Sequence, residues 1–161
     1  MRDLAAEAGY TNGALSHYFA GKDEILRAAF EHVLAETNRR IEISVGRSRG
    51  RIALRRLCSE IMPLTDEARL EARIALSLWQ RAMTDPAMEE VNNVAVAEWK
   101  TRMARHWTDA VDAGELPHCN VTVGVELLMT TIIGLQVTAV LEPATTGRSA
   151  QMALLDGILG A

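Results

Sequence analysis

The stretch Arg2-Asp-Leu-Ala-Ala-Glu-Ala-Gly-Tyr-Thr-Asn-Gly-Ala-Leu-Ser-His-Tyr-Phe-Ala-Gly-Lys-Asp-Glu-Ile-Leu26 decides how this chain is read. Residues 2–8 form a short helical pattern that stops at Gly9, a residue suited to the left-handed backbone that ends a helix. Thr11 can cap the next helix by accepting a free backbone N–H. The second helix is predicted over 12–19, and Gly21 breaks it. Leu4, Ala8, Leu15 and Tyr18 can share one small apolar core, with Phe19 beside them. Ala5 is small where the helices must approach, and Tyr10 can pack under the turn. Two short helices joined in this way make a helix-turn-helix over Leu4 to Phe19, with the start of its second helix directed outward.

Working outward, a long helix is expected from about Lys22 to Ser44, with Ile25, Leu26, Ala29, Phe30, Val33 and Leu34 at helical spacing. A loop rich in Gly, Ser and Arg spans 46–51, and the domain boundary is placed there: 1–45 for the reader with its linking helix, 46–161 for the remainder. Beyond it, helices are expected over Ile52–Leu64, Glu67–Met83 with Asp66 as its cap, Ala87–Ala113, Val121–Leu141 and Ser149–Leu159. Pro86 fits a first helical turn after Asp85, Gly114 a helix end, Asn120 a cap and Pro143 a terminator. Hairpin signals are scarce, so the fold class expected is all-α.

Composition agrees with this reading. The chain has 161 residues, 48% apolar and 24% charged, the balance of a globular protein. Its net charge of −4 is unevenly spread: residues 1–60 hold ten Lys/Arg against eight Asp/Glu, and the rest seven against thirteen. A basic end and an acidic end suit a molecule that meets phosphate at one end only. Cys58 and Cys119 are far apart and lack metal-ligand spacing, so a reduced, cytoplasmic protein with no metal or other cofactor is expected. The apolar run 121–141 contains Glu126 and Gln136 and is read as a globular-protein helix, not a membrane span. No catalytic constellation occurs: there is no phosphate loop, no nucleophile motif and no paired acid site, so no enzyme is expected.

The quoted stretch resembles the DNA-binding domain of the TetR family of transcriptional regulators. The small-residue turn, Gly13, the His17-Tyr18-Phe19 triplet and Lys22 with its following acids carry the resemblance. Farther on, Ala75-Leu-Ser-Leu-Trp79, the Asp85-Pro86 helix start and Gly134 in a late apolar helix resemble the family's choline-regulator, BetI-like branch. The resemblance implies a repressor that binds double-stranded operator DNA and is released by a small-molecule effector. Thr11, Asn12, Gly13, Ala14, Ser16 and His17 would face the groove, while Tyr18 and Lys22 would reach phosphate. Many members carry an aromatic where this chain has Ser16 and a basic residue where it has Asn12. The family also has a helix before the point where this sequence begins, so the reader as written lacks its first helix. A competing reading is a helical ligand-binding or structural dimer without DNA binding.

In the second half, Met62, Trp79, Met83, Trp99, Met103 and Trp107 are candidates to line an effector pocket, because Met and Trp can wall an apolar cavity. Plain core packing is the alternative for each. Gln80, Glu98, His106 and Thr130 are the polar handles considered. For a choline-like cation, the Trp rings would supply cation–π attraction. The homodimer is expected through Val121–Leu141 and Ser149–Leu159. Val121, Val125, Leu128, Ile132, Leu135 and Ala139 form the first interface stripe; Met152, Leu155, Ile158 and Leu159 form the second.

Overall fold

A computed structural model describes residues 21–118 and 120–160. The helix-turn-helix positions, including Thr11, Asn12, Gly13, Ala14, Ser16, His17 and Tyr18, lie outside the described residues. Within them the chain is all-α: six helices and no strand. In chain order these are α1 (Lys22–Val45), α2 (Gly50–Ile61), α3 (Asp66–Ala82), α4 (Pro86–Asp112), α5 (Val121–Leu141) and α6 (Arg148–Ile158).

Side-chain caps fix three of the helix starts. Thr65 Oγ1 accepts from the Ala68 N–H at 3.1 Å, so Thr65 is the cap of α3 and Asp66 its first residue, one position from the sequence expectation. Asp85 Oδ1 accepts from the Ala87 N–H at 3.0 Å, and Pro86 fills the first turn of α4, where its missing N–H costs nothing. Asn120 Oδ1 accepts from the Thr122 N–H at 3.0 Å and starts α5. After α4 the chain turns at Gly114, whose φ of +70° is a conformation that side-chain-bearing residues avoid.

The core is one large cluster joining α2, α4, α5 and α6 with the end of α1. Leu54, Leu57 and Cys58 of α2 meet Met103, Trp107 and Ala110 of α4, and Leu128 and Ile132 of α5 close the cluster. Ile52, near the start of α2, is exposed. Burial pushes the Cys58 thiol up to about 12, which keeps it protonated and unreactive. A second cluster joins α1, α3 and α4 through Phe30, Ala75, Leu78 and Met88. α1 is therefore packed along the body: Phe30, Thr37, Ile41 and Val45 are all buried.

α5 is long and apolar enough to cross a membrane, with a mean hydropathy of 1.7. It is also a core helix. Val125, Leu128, Ile132, Leu135 and Ala139, expected as a dimer stripe, are buried within the chain itself. Leu155 and Leu159 near the end of the chain are buried in the same way. The faces left open carry Val123, Leu127, Gly134 and Leu141 on α5 and Ala150, Ala153, Leu154 and Gly157 on α6. A helix that is apolar all round gives no sequence signal of which face turns inward, which is why the stripe was assigned to the wrong side.

Candidate functional site

Between α1 and α3 lies a small apolar cavity, open at its mouth to solvent, with further walls from α4 and α5. The linking helix supplies Phe30, Val33, Leu34 and Thr37. Small residues on α3 (Ala68, Ala72 and Ala75) leave the space, and Trp79 and Trp99 bound it. Both indoles are held in place: Trp79 Nε1 donates to Asn92 Oδ1 at 2.8 Å, and Trp99 Nε1 donates to Asn38 Oδ1 at 2.8 Å. A tethered indole keeps its ring face presented at little entropic cost.

Polar groups in the wall are few. Glu71 projects from α3 and accepts from Arg40 of α1 at 2.9 and 2.7 Å. The hydrogen bond it donates to Glu71 holds the Arg40 guanidinium above its usual pKa, against the opposing effect of burial. Gln136 of α5 reaches in from the opposite side, its Nε2 donating to the Ile61 carbonyl at 3.1 Å. No Lys, Arg or His lines the cavity among the described residues, so its one formal charge is the Glu71 carboxylate.

Two of the six candidate pocket residues, Trp79 and Trp99, are brought together on this cavity. Met62, Met103 and Trp107 are buried in the main core and do not line it. Trp107 is instead the ring against which Gly124 packs. Met83, at the end of α3, is 83% exposed and points away from any enclosed space. Gln80, Glu98 and Thr130 are exposed as well. His106 is buried beside the α1–α2 connection, with a pKa lowered by burial and by Arg105. Lys22 is exposed at the first residue of α1.

The sequence reading missed Phe30, Glu71, Asn92 and Gln136. A glutamine in the middle of an apolar helix was a usable signal, since a buried amide needs partners. Nothing local marks Asn38 or Asn92, because the indoles they hold lie 61 and 13 residues away. Among the described residues no group of three or more His, Cys, Asp and Glu side chains is placed to hold a metal.

Two ion pairs fasten α1 to α3, one toward each end. Arg40 joins Glu71, and Arg81 joins Asp23 at 2.6 and 2.9 Å. The cavity lies between these fastenings.

Comparison with known proteins agrees with this architecture. Residues 50–161 match the family described as the BetI-type transcriptional repressor C-terminal domain, and residues 1–29 match the tetR family of bacterial regulatory proteins. The chain belongs to the TetR family, in its BetI-type branch. The BetI regulator of Burkholderia lata is 26% identical over 116 residues, covering 69% of this chain and 58% of that protein. That of Paraburkholderia phymatum is 27% identical over 99 residues, covering 58% of this chain and 49% of that protein. The chain thus spans only about half the length of these curated relatives. A transcriptional regulator from Rhodococcus sp. Rha1 superposes with a TM-score of 0.83 at 26% identity, covering 99% of this chain and 82% of that one. A regulator from Saccharomonospora viridis, solved in complex with choline, superposes with a TM-score of 0.90 at 19% identity, covering 99% and 83%.

Proposed function

We propose that this chain carries the reader and body of a homodimeric transcriptional repressor, released from operator DNA when a small effector enters the α1–α3 cavity. One observation supports the reading: α1, the helix that follows the proposed reader in the sequence, supplies a wall of the cavity. A ligand there needs no relay to act on the reader. It binds α1 in one position better than in another and so shifts the population of DNA-competent dimers. Thr11, Asn12, Gly13, Ala14, Ser16, His17, Tyr18 and Lys22 are the proposed DNA contacts, and the protein works in the cytoplasm.

The cavity's chemistry favours a small cation. Two tethered tryptophans and Phe30 offer aromatic faces, and Glu71, paired with Arg40, is the one carboxylate in the wall. Choline, the ligand in the Saccharomonospora neighbour, has this character and is the first effector to test. Dimerisation is assigned to the open faces of α5 and α6, where Gly134 and Gly157 have nothing near the position of a Cβ and leave room for close approach.

Gel-shift assays with fragments upstream of its own gene, at moderate salt, test the reading. A specific shift that disappears on adding choline is expected. Complete absence of a specific shift would leave the competing reading, a ligand-binding dimer without DNA binding.

A further inference from the structure

Gln136 is 8% exposed, and its two amide ends have different fates. Nε2 donates to the Ile61 carbonyl at the end of α2, at 3.1 Å. Oε1 is buried, with no hydrogen-bond partner among the described residues. Flipping the amide does not relieve this, because Oε1 would then face a carbonyl oxygen and the donor would be lost. The Ile61 carbonyl therefore fixes Oε1 as the unmatched atom of a side chain that lines the cavity. A buried acceptor left unmatched is costly, whereas the same acceptor matched by a ligand donor gains a bond in a water-poor setting.

The other polar groups leave this acceptor prominent. Both indole N–H groups are already spent on asparagines, and Glu71 is engaged by Arg40 but remains an acceptor. No cationic side chain lines the space among the described residues. Of the remaining polar side chains in the wall, Thr37 accepts from Arg40 and Asn92 accepts from Trp79, so an anionic ligand would find a hydroxyl and an amide donor there but no formal positive charge.

We propose that Gln136 selects the effector: its Oε1 accepts a hydrogen bond from a hydroxyl or N–H carried by a small cation whose apolar head lies against Trp79 and Trp99. This rests on the reading of the cavity as the effector site. Gln136 is then the specificity-determining residue. A cation of the same shape without the donor leaves Oε1 unmatched, and an analogue ending in a carboxylate brings two acceptors together.

Titration calorimetry on the full chain tests this with three probes sharing a trimethylammonium head and bearing a hydroxyethyl, an ethyl or a carboxymethyl arm. The hydroxyethyl probe is expected to bind about tenfold or more tightly than the ethyl probe, and the carboxymethyl probe to be the weakest. In Gln136→Met, of similar length but without the acceptor, the hydroxyethyl and ethyl probes are expected to bind equally. The wild-type ranking stands as a test by itself if that variant fails to fold. Equal binding of the hydroxyethyl and ethyl probes to the wild type overturns the role of Gln136 and leaves the cavity reading intact. Binding that survives unchanged in Ala75→Leu, which fills the cavity, places the ligand elsewhere and overturns both; so does the absence of binding by either cation.

Discussion

Glu71, in the cavity wall, grips Arg40 of the linking helix through two hydrogen bonds of 2.7 and 2.9 Å, and the same guanidinium donates to Thr37 Oγ1 at 3.0 Å. Glu71 and Thr37 both line the cavity, so the ion pair and the ligand share a surface. Glu71→Gln keeps the shape and removes the charge. It is expected to lower stability by about 1–2 kcal/mol in urea unfolding, the scale of a lost charge-assisted bond, and to blunt effector-driven release of DNA. Unchanged stability and release together would show that the pair is a bystander.

The contact between Gly124 and Trp107 sets the spacing of α5 on α4. A Cβ at position 124 would fall 2.5 Å from the Trp107 ring, and that ring is buried. Gly124→Ala is therefore expected to destabilise the chain by about 1–3 kcal/mol through overpacking. That corresponds to a fall in Tm of roughly 2–12 °C for a protein of this size. The gain in helix propensity from alanine, about 1 kcal/mol, offsets part of this. Thermal melts followed by circular dichroism measure the balance, and an unchanged or higher Tm would contradict the close-packing argument.

Two nearby residues on α5 distinguish the proposed dimer face from the core. Leu127 is exposed and Val125 is buried. Leu127→Glu is expected to yield monomers in sedimentation analysis with helicity retained, since Leu127 lies on the open face of α5 proposed as the interface. Val125→Glu places a charge in the subunit core and is expected to lose helicity altogether. A Leu127→Glu protein that remains dimeric would move the interface off this face.

His106 makes stability depend on pH. It is 4% exposed, and burial, reinforced by Arg105 and Arg102, lowers its pKa from 6.5; Asp109, 3.9 Å away, opposes the shift. The native state therefore holds fewer protons at this site than the unfolded chain. Its contribution is present above pH 6.5 and is lost as the pH falls below that value toward the lowered pKa. Urea midpoints should fall between about pH 7.5 and pH 5. The fall should be smaller in His106→Gln, which cannot take up the proton. An equal fall in that variant would assign the effect to other groups.

Local chemistry made much of this molecule legible in advance. The bounds of α5 follow from Asn120 and Pro143, and α4 follows from Asp85-Pro86 and Gly114. Such signals act within a few residues, through backbone N–H groups and allowed φ values, so the sequence displays them directly. Trp79 and Trp99 could be named as candidates because large aromatic side chains on packed helices often wall cavities. Their separation from Met62, Met103 and Trp107 was not visible, since all five have the same core-like character and only helix orientation distinguishes cavity from core.

By itself, the sequence determined the all-α class, most helix limits and the family, because caps, breakers and the Arg2–Leu26 pattern are short-range features. The tertiary structure alone decided that α1 walls the cavity, that Glu71 and Gln136 supply its polar groups, and that the inner stripe of α5 belongs to the subunit core. The physical reason is the same in each case. Helical periodicity marks which residues share a face, but the partner of that face is chosen by packing between segments distant in the chain.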